Sequence, residues 1–381
     1  MDWPHVRGID ARIDEVELFR LDVHKPRHFS FGTWRNRQHA VLKLSVGSFR
    51  GWSEAICSRN DPDFDLLHWG MRFRQLKGLT ISQALAHLLS QRGVWPVSTL
   101  EMAEMALLDL AGRVREMLVT DLLGLDGREP VPGLFCILED DPRQAEAQAR
   151  LALGRNLRTH VKVKIFGDNR LDVLLIQAVR GVMGSDAYVT ADANSGYRHQ
   201  PGEPLDELAR ELRTLREAGL DACEDPAKLE NNEWVLLQER VGDLTLIPDS
   251  PTRPAWEAIH TLIPNMGRVY NLHPAGMGSM LSSVVLGRKI RSFGADVIIG
   301  DDSLIGPACT AWQQIAIGLG GEWMEALEKP EESDDFLRCI VGQATSQEAD
   351  GRFGLRERRP GFGLDVDETS LRARCASHGA L

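Results

Sequence analysis

The chain has 381 residues, and its 55 aspartates and glutamates outnumber its 44 lysines and arginines, which gives a formal net charge of −11. A chain this acidic lacks the basic surface by which general nucleic-acid binders displace counterions, so nucleic acid is excluded as an expected partner. Hydrophobic residues make up 43% of the chain and charged residues 26%, which excludes intrinsic disorder and predicts a globular protein. At roughly 150 residues per domain, the length predicts two or three domains.

Three further features predict a cytoplasmic protein. No run of apolar residues approaches the ~18 that a membrane-spanning helix needs, so no membrane association is expected. The segment 1–10 has no apolar core of the kind that a signal peptide carries. The six cysteines are too widely spaced for a zinc or redox motif and too sparse for a disulfide scaffold. We therefore expect free thiols in a reducing compartment.

The first zone of the chain, residues 1–129, has the pattern of a small α+β domain. Residues 12–22 and 39–46 alternate apolar and polar side chains with a period of two, which predicts two strands. Residues 98–118 carry apolar side chains at helical spacing. Between the two strands lies a loop rich in Arg, His and Phe. Its His24 and His28 either close over a substrate or face the solvent.

The second zone, residues 130–350, alternates short β-rich runs with amphipathic stretches, which is typical of βαβ units and a parallel sheet. Seven strands are predicted, at 131–138, 161–165, 188–192, 220–224, 244–249, 268–273 and 296–300. An eighth, near 322–325, is weak. The polar residues at successive strand ends lie 24 to 32 positions apart, which is about one βα unit, and about eight such units close a barrel. The third zone, residues 351–381, is too short for a domain and is expected to pack back onto the first.

Three carboxylates lie where successive predicted strands end. Asp192, Glu224 and Asp249 end the runs YVTAD, LDACE and LTLIPD. In an α/β barrel these ends share the face on which active sites are built, so the three side chains are expected to converge. Oxygen ligands without sulfur or imidazole suit Mg²⁺, with Mn²⁺ as a substitute. A single strand-end aspartate is more often a helix N-cap, but three in phase favour a metal site.

Two lysines share one predicted strand, VKVKI. Lys162 and Lys164 are two positions apart and therefore face the same side, whereas the apolar residues between and beside them face the other. The lysines are expected to point into the barrel, where each lowers the pKa of the other. A lysine with a lowered pKa near a metal can take a proton as a neutral amine. The alternative is a polar strand edge with two exposed lysines.

In this order and spacing the motifs resemble the enolase superfamily, on its muconate-lactonizing and mandelate-racemase side. The resemblance covers nearly the whole chain. The motifs are GWSEA (51–55), ALLDLAGR (106–113), KVK (162–164), ADANSGY (191–197), CEDPA (223–227), PDSP (248–251), DSLIGPA (302–308) and RPGFGLDVD (359–367). The resemblance implies an α/β fold: a TIM-type (β/α) barrel of about seven to eight units, with an α+β N-terminal capping domain that the C-terminal segment completes.

The resemblance also implies a chemistry for these residues. Mg²⁺ would bind at Asp192, Glu224 and Asp249, with Asn194 beside these ligands. Lys164 would remove the proton α to the carboxylate of a small-molecule substrate, and Lys162 would tune it. Barrels of this kind commonly assemble, so a homo-oligomer is expected by analogy.

The chain departs from the family pattern opposite Lys164. Muconate-lactonizing relatives carry a second lysine at the end of the sixth strand, where this chain has His273. An imidazole there can act as acid or base on the second face of the substrate. Asp302 matches an acidic residue that would hydrogen-bond the substrate or the sixth-strand group, and the neighbouring Asp301 is an alternative for that role. A weaker feature is the turn Gly276–Gly278, whose amides can hold an anion or form an ordinary turn.

The sequence therefore predicts a Mg²⁺-dependent enzyme that forms an enediolate from a carboxylate substrate. Reprotonation by His273 on the opposite face gives a racemase or epimerase, and a cycloisomerase remains open. Departure of a β-hydroxyl group from a hydroxy acid or sugar acid gives a dehydratase instead. We favour isomerase chemistry. A different class of protein, a homologue that binds metal and carboxylate without turnover, predicts damage at Lys164 or at a metal ligand, and the sequence has none.

Overall fold

The computed structural model describes residues 3, 5–61, 63–200, 202–329 and 335–381. Its strands are β1 (Glu15–Val23), β2 (Arg27–Phe29), β3 (Gly32–Trp34), β4 (Arg37–Val46), β5 (Phe49–Arg59), β6 (Val131–Pro132), β7 (Leu134–Ile137), β8 (His160–Lys164), β9 (Tyr188–Asp192), β10 (Ala222–Glu224), β11 (Thr245–Ile247), β12 (Val269–Leu272), β13 (Asp296–Ile299), β14 (Ile340–Gly342), β15 (Thr345–Gln347), β16 (Arg352–Leu355), β17 (Asp365–Val366) and β18 (Ser377–Ala380). Its α-helices are α1 (Leu66–Gly70), α2 (Ile81–Ser90), α3 (Val97–Arg115), α4 (Val119–Leu122), α5 (Pro142–Gly154), α6 (Asn169–Met183), α7 (Asp206–Glu217), α8 (Asn231–Val241), α9 (Ala255–Thr261), α10 (Met280–Ser292), α11 (Pro307–Leu319) and α12 (Glu368–Arg374). Short 3₁₀ helices lie at Met71–Leu76 and Ser250–Thr252.

The N-terminal part of the chain forms an antiparallel sheet in the order β18-β1-β4-β5. The two strands predicted there are confirmed as β1 and β4, which pair along nine positions from Glu15↔Ser45 to Val23↔Arg37. On the other side of β1, Glu17 lies opposite Ala380 of β18. The end of the chain thus returns to the N-terminal sheet. The boundaries predicted at residues 129 and 350 stay predictions.

The predicted helix at 98–118 is confirmed as α3, which packs against the N-terminal sheet. Its residues from Thr99 to Gly112 are all buried, so it has neighbours on every side. Gly51 of β5 makes the close approach possible, because a Cβ at that position would overlap the carbonyl oxygen of Ala106. Among the described residues, none of the helices combines the length and the apolar character that crossing a membrane requires.

The middle of the chain is a parallel α/β structure. Strands β7 to β11 form a sheet in the order β11-β10-β9-β8-β7, and β12 pairs in parallel with β13. Each of the seven predicted runs overlaps one of these strands, so the predicted alternation of strands and helices is confirmed. Capping residues in the sequence mark where helices between these strands begin. Asp141 and Asp168 cap α5 and α6 by accepting hydrogen bonds from the first backbone N–H groups.

Single contacts extend the parallel pairing beyond these two sheets. The backbone N–H of Asn271 in β12 donates to the carbonyl of Pro248, just after β11, at 3.0 Å. Met324 forms parallel bridges both with Ile299 of β13 and with Gly133, just before β7. The weak eighth run predicted at 322–325 lies at this position.

Asp109 of α3 fastens the helix to two distant segments. Its carboxylate accepts hydrogen bonds from the backbone N–H of Trp52 at 2.9 Å and of Phe362 at 2.7 Å, and it also faces Arg113. The three groups come from β5, from the C-terminal segment and from α3 itself. The carboxylate is buried, and it is the acceptor of the two backbone N–H groups, whereas Arg113 also bonds to Asp365 and to the carbonyl of Leu364.

We expect Asp109→Ala to lower the free energy of unfolding by about 3 kcal/mol, because it leaves two buried N–H groups without an acceptor and removes one of the two carboxylates that face Arg113. Chemical denaturation followed by circular dichroism measures the change. The matched control is Glu146→Ala on α5, which breaks the solvent-exposed ion pair with Arg150 and should cost less than about 1 kcal/mol. Equal losses in the two variants would contradict the role of Asp109.

Candidate active site

Four of the predicted site residues lie together at the carboxyl edge of the parallel sheet. Lys164 of β8 is in register with Asp192 of β9, and Asp192 is in register with Glu224 of β10. Asp249 lies two residues beyond Ile247, the register partner of Glu224. Side chains two apart on a strand share a face, so period and register together bring these carboxylates to one place.

Both lysines of β8 are buried, which rules out the alternative of an exposed strand edge: Lys162 is 3% and Lys164 8% accessible. The Lys164 Nζ pairs with Asp192 Oδ2 and lies 3.0 Å from Asn194 Oδ1. The Lys162 Nζ lies 3.0 Å from Glu224 Oε2 and also pairs with Glu325. Asn194 thus reaches the cluster, as the resemblance implies.

Burial of several carboxylates at one point perturbs their pKa values. Burial raises the pKa of Glu224 to about 7; the Lys162 charge opposes this, while Asp192 and Asp249 add to it. Burial also raises the pKa of Asp249, against the opposing charge of Arg253. At Asp192, burial works in the same direction, but Lys164 and Lys162 outweigh it and the pKa is lowered. Three ionised carboxylates are therefore unfavourable at this point unless cations lie beside them.

The expectation of a lowered lysine pKa is wrong for Lys162. Burial does act to lower the pKa of Lys162, but Glu224 and Glu325 outweigh it and hold the pKa well above its usual value. The sequence pattern shows two neighbouring ammonium groups, whereas the fold surrounds Lys162 with carboxylates. Lys162 therefore stays a fixed positive charge beside Lys164.

The residues at this edge fit a hard divalent cation. Among the described residues, no group of three or more His, Cys, Asp or Glu side chains has the geometry of a bound metal. Asp192, Glu224 and Asp249 each face a lysine or arginine instead. Yet the donor set is three carboxylates, which is the chemistry that Mg²⁺ prefers. In addition, Asp249 Oδ1 is buried and accepts no hydrogen bond from any described residue.

His273 follows β12 and is half-buried. Its Nδ1 donates a hydrogen bond to the carbonyl of Pro274 at 2.8 Å. Burial and, to a lesser extent, the nearby charge of Arg253 lower the pKa of His273 to about 4, while the charge of Asp302 opposes both. The imidazole is therefore neutral near pH 7, with its Nε2 lone pair available to take a proton.

The structure separates the roles of the two neighbouring aspartates. Asp302 Oδ2 lies 3.2 Å from Arg59 of β5, and its charge acts on His273. Asp301 Oδ2 lies 2.9 Å from Lys329, and its Oδ1 accepts the backbone N–H of Leu304. Of the two, Asp302 is the one electrostatically linked to His273.

A hairpin from the N-terminal part, β2–β3, lies over the lysines. The Phe29 ring centroid is 5.4 Å from the Lys164 Nζ, and the Ser30 hydroxyl donates to the carbonyl of Asn194 at 3.3 Å. The two histidines predicted in this loop are not brought into the cluster. His24 is exposed, and His28 is 3.2 Å from Thr33 across the hairpin. Their contact with a substrate stays a prediction.

Comparisons with known proteins identify the family to which the chain belongs. The family model described as "Enolase C-terminal domain-like" matches residues 144–370. The chain belongs to the enolase superfamily. It is 21% identical to the N-succinyl-L-Arg/Lys racemase of Bacillus cereus, over 76% of this chain and 79% of that protein. It is 23% identical to the chloromuconate cycloisomerase of Cupriavidus pinatubonensis, over 77% of this chain and 82% of the relative. The structure of the L-Ala-D/L-Glu epimerase from Bacillus subtilis superimposes with a TM-score of 0.77 at 19% identity, covering 93% of this chain and 99% of the other, which shows a shared fold.

Sequence reasoning missed several residues of this enolase-superfamily site. Glu325 lies just after Met324, and burial raises its pKa to about 7 against the charge of Lys162. No described residue bonds to its Oε1. Asn271 donates to Glu224 Oε1 at 2.8 Å, and Asp225 accepts the backbone N–H groups of Asp249 and Ser250. The adjacency of Asp225 to Glu224 was a usable signal, but Glu325 ends a run whose strand pattern is weak.

We expect His273 to titrate with a midpoint of about 4, since burial and Arg253 both disfavour the imidazolium. The depressed pKa means that the folded state binds fewer protons than the unfolded chain, whose histidine titrates near about 6.5. Its contribution to stability is therefore complete above that pH and lost as the pH falls towards 4. NMR titration of ¹⁵N-histidine-labelled protein, with His273→Gln to assign the signal, measures the midpoint. A midpoint near the unfolded value would contradict the burial argument.

Proposed function

We propose that this enolase-superfamily protein is a Mg²⁺-dependent isomerase acting on a small carboxylate substrate. Lys164 removes or returns the proton α to the carboxylate on one face, and His273 serves the other face. The observation that carries this proposal is the burial of Lys164 beside three converging carboxylates, with a neutral imidazole just after β12. The racemase and cycloisomerase among the relatives support isomerase chemistry.

The catalytic scaffold that we propose is a closed TIM-type barrel. The bridge of Met324 to both Ile299 and Gly133 supports an eighth strand between β13 and β7. The hydrogen bond from Asn271 to Pro248 supports continuity between β11 and β12. In such a barrel, the two lysines, the three carboxylates and His273 lie at or near the carboxyl ends of the strands, where loops build active sites.

Asp192, Glu224 and Asp249 would hold the Mg²⁺. When bound there, the ion offsets the second negative charge that develops on a carboxylate substrate as the α-proton leaves. The chain's own contribution is to remove water from this volume and to fix the ligands. Asn271 holds Glu224, and Asp225 holds the backbone of Asp249.

Lys162 and Lys164 have different proposed roles on the face of the substrate that Lys164 serves. Lys162 is held charged by Glu224 and Glu325 and lies on the same side of β8 as Lys164. Lys162 therefore places a fixed positive charge beside Lys164, while Asp192 and Asn194 hold the Lys164 Nζ in place. This supports Lys164 as the base and Lys162 as the residue that tunes it.

His273 makes isomerase chemistry a better match than dehydratase chemistry. Loss of a β-hydroxyl group needs an acid that protonates the leaving oxygen. The neutral imidazole carries its one N–H at Nδ1, and Pro274 accepts that hydrogen bond. Its Nε2 is instead suited to take an α-proton, while the Lys164 ammonium returns one to the opposite face. A hydroxy-acid dehydratase is thus the weaker alternative.

We expect Lys164→Ala to abolish deuterium incorporation at the α-carbon on the Lys164 face. The assay incubates protein and Mg²⁺ in D₂O with pools of N-acylated amino acids, dipeptides, hydroxy acids and sugar acids, followed by mass spectrometry. The matched control is Lys77→Ala, which removes an exposed lysine that bonds to the carbonyl of Leu381 and should leave exchange intact. Exchange that survives in Lys164→Ala would contradict the assignment of the base. Loss of water from a substrate would favour the dehydratase.

We expect Mg²⁺ to stabilise the fold, by about 2.7 kcal/mol at a hundredfold excess over its Kd. Asp249→Asn should remove most of this gain, because it neutralises one of the three ligands. Asp243→Asn is the control, since this aspartate pairs with Arg216 on the exposed surface and should leave the gain unchanged. Thermal unfolding with and without the ion measures both effects. A gain of the same size in Asp249→Asn would contradict the metal site.

A further inference from the structure

Glu101 of α3 fills the turn that follows His273. Its Oε1 accepts the backbone N–H of Ala275 at 2.6 Å, and its Oε2 accepts that of Gly278 at 2.9 Å. The indole N–H of Trp312 donates to Oε1 at 3.2 Å. The amides of this turn, which the sequence marked as able to hold an anion, thus bind a carboxylate of the same chain. A residue of the N-terminal part therefore ends next to the second face of the proposed site.

One peptide group joins Glu101 to His273. The carbonyl of Pro274 accepts the hydrogen bond from His273 Nδ1, and the N–H of the same peptide, that of Ala275, donates to Glu101. Because a peptide group is planar, the direction of its N–H fixes the direction of its carbonyl. Hydrogen bonds in such a chain also polarise one another. Glu101 thereby sets where the Pro274 oxygen lies and how strongly it attracts a proton on Nδ1.

The turn is expected to change its conformation when Glu101 is removed. Ala275 has a φ of +62°, in the left-handed region that residues with a Cβ seldom adopt. One hydrogen bond within the turn stabilises this conformation: the Gly276 N–H donates to the carbonyl of His273 at 3.1 Å. The second stabilising contact is the hydrogen bond from the Ala275 N–H to Glu101. Without it, the peptide between Pro274 and Ala275 is free to rotate towards an ordinary conformation, which moves the acceptor away from His273.

We propose that Glu101 is a positioning residue that fixes the tautomer and orientation of His273 through the Pro274–Ala275 peptide. The Nδ1–H tautomer leaves the Nε2 lone pair facing outward from the turn's hydrogen bonds, as proton transfer on the second face requires. The catalytic consequence rests on the proposed function, whereas the structural link from Glu101 to His273 does not.

Glu104, one turn further along α3, is the matched control. It is also buried, and it also binds the barrel side of the molecule, through the Ser279 hydroxyl and the Leu281 N–H, both at 3.0 Å. These contacts lie beyond the turn and share no peptide with His273. Glu104→Gln therefore reproduces the loss of a buried carboxylate between α3 and α10 without touching the link.

The first measurement is the tautomer of His273, which needs no substrate. In ¹⁵N-histidine-labelled protein, long-range ¹H–¹⁵N spectra distinguish a protonated Nδ1 from a protonated Nε2, and His273→Gln assigns the signal. We expect the Nδ1–H form in the native chain and in Glu104→Gln. In Glu101→Gln, the amide N–H₂ cannot accept a hydrogen bond from a backbone N–H of the turn. The Pro274–Ala275 peptide is then held less firmly, so we expect His273 to shift towards the Nε2–H tautomer. Glu101→Asp, which keeps the charge but shortens the side chain, should shift it less and carries the test if Glu101→Gln does not fold.

The second measurement is face-resolved deuterium exchange with a substrate identified from the D₂O pools. We expect Glu101→Gln to lower exchange on the His273 face relative to the Lys164 face by on the order of 10²-fold, and Glu104→Gln to leave the ratio unchanged. An unchanged His273 tautomer in Glu101→Gln, or an equal change in Glu104→Gln, would overturn the proposal. If the native chain exchanges no substrate, the proposed function fails, and the tautomer experiment still decides the link.

Discussion

The structure depends on keeping several carboxylates buried at one edge of a parallel sheet. Asp192, Glu224 and Asp249 are almost fully inaccessible, and like charges at such distances raise one another's pKa values unless cations lie between them. Lys162, Lys164 and Arg253 supply that charge within the chain. A divalent ion bound there, as we propose, would supply part of this positive charge. Stability and chemistry at this edge are therefore set by the same electrostatic balance.

Helix α3 connects this edge to the rest of the molecule through three buried acids. Asp109 binds the N-terminal sheet and the C-terminal segment, while Glu101 and Glu104 bind the turn and helix that follow β12. Each acid accepts at least one backbone N–H from a segment that is distant in the sequence. Because an unpaired buried N–H is costly, these bonds fix the separation between α3 and the parallel sheet. The second face of the site is thus built partly from the N-terminal part of the chain.

Local patterns were enough to predict the strands and the main carboxylates. A period of two predicted β1 and β4, and the spacing of Asp192, Glu224 and Asp249 predicted their convergence, because parallel strands impose both. The pattern could not predict what each side chain meets across the fold. It therefore misjudged the pKa of Lys162 and gave no reason to single out Glu101 or Glu325. Contacts between residues distant in the sequence decide these points.

In the proposed function, His273 stands where the resemblance implies a second lysine, and this changes the acid–base chemistry of the second face. Two lysines facing each other have similar chemistry, so each can donate or accept. A half-buried imidazolium whose pKa is about 4 loses its proton far more readily than a lysine ammonium of ordinary pKa. In the function that we propose, the two faces are therefore chemically unlike: the neutral imidazole has a free lone pair at Nε2, whereas the Lys164 Nζ pairs with Asp192 and Asn194. A substrate whose α-proton lies on the His273 face is therefore the better match to the neutral imidazole.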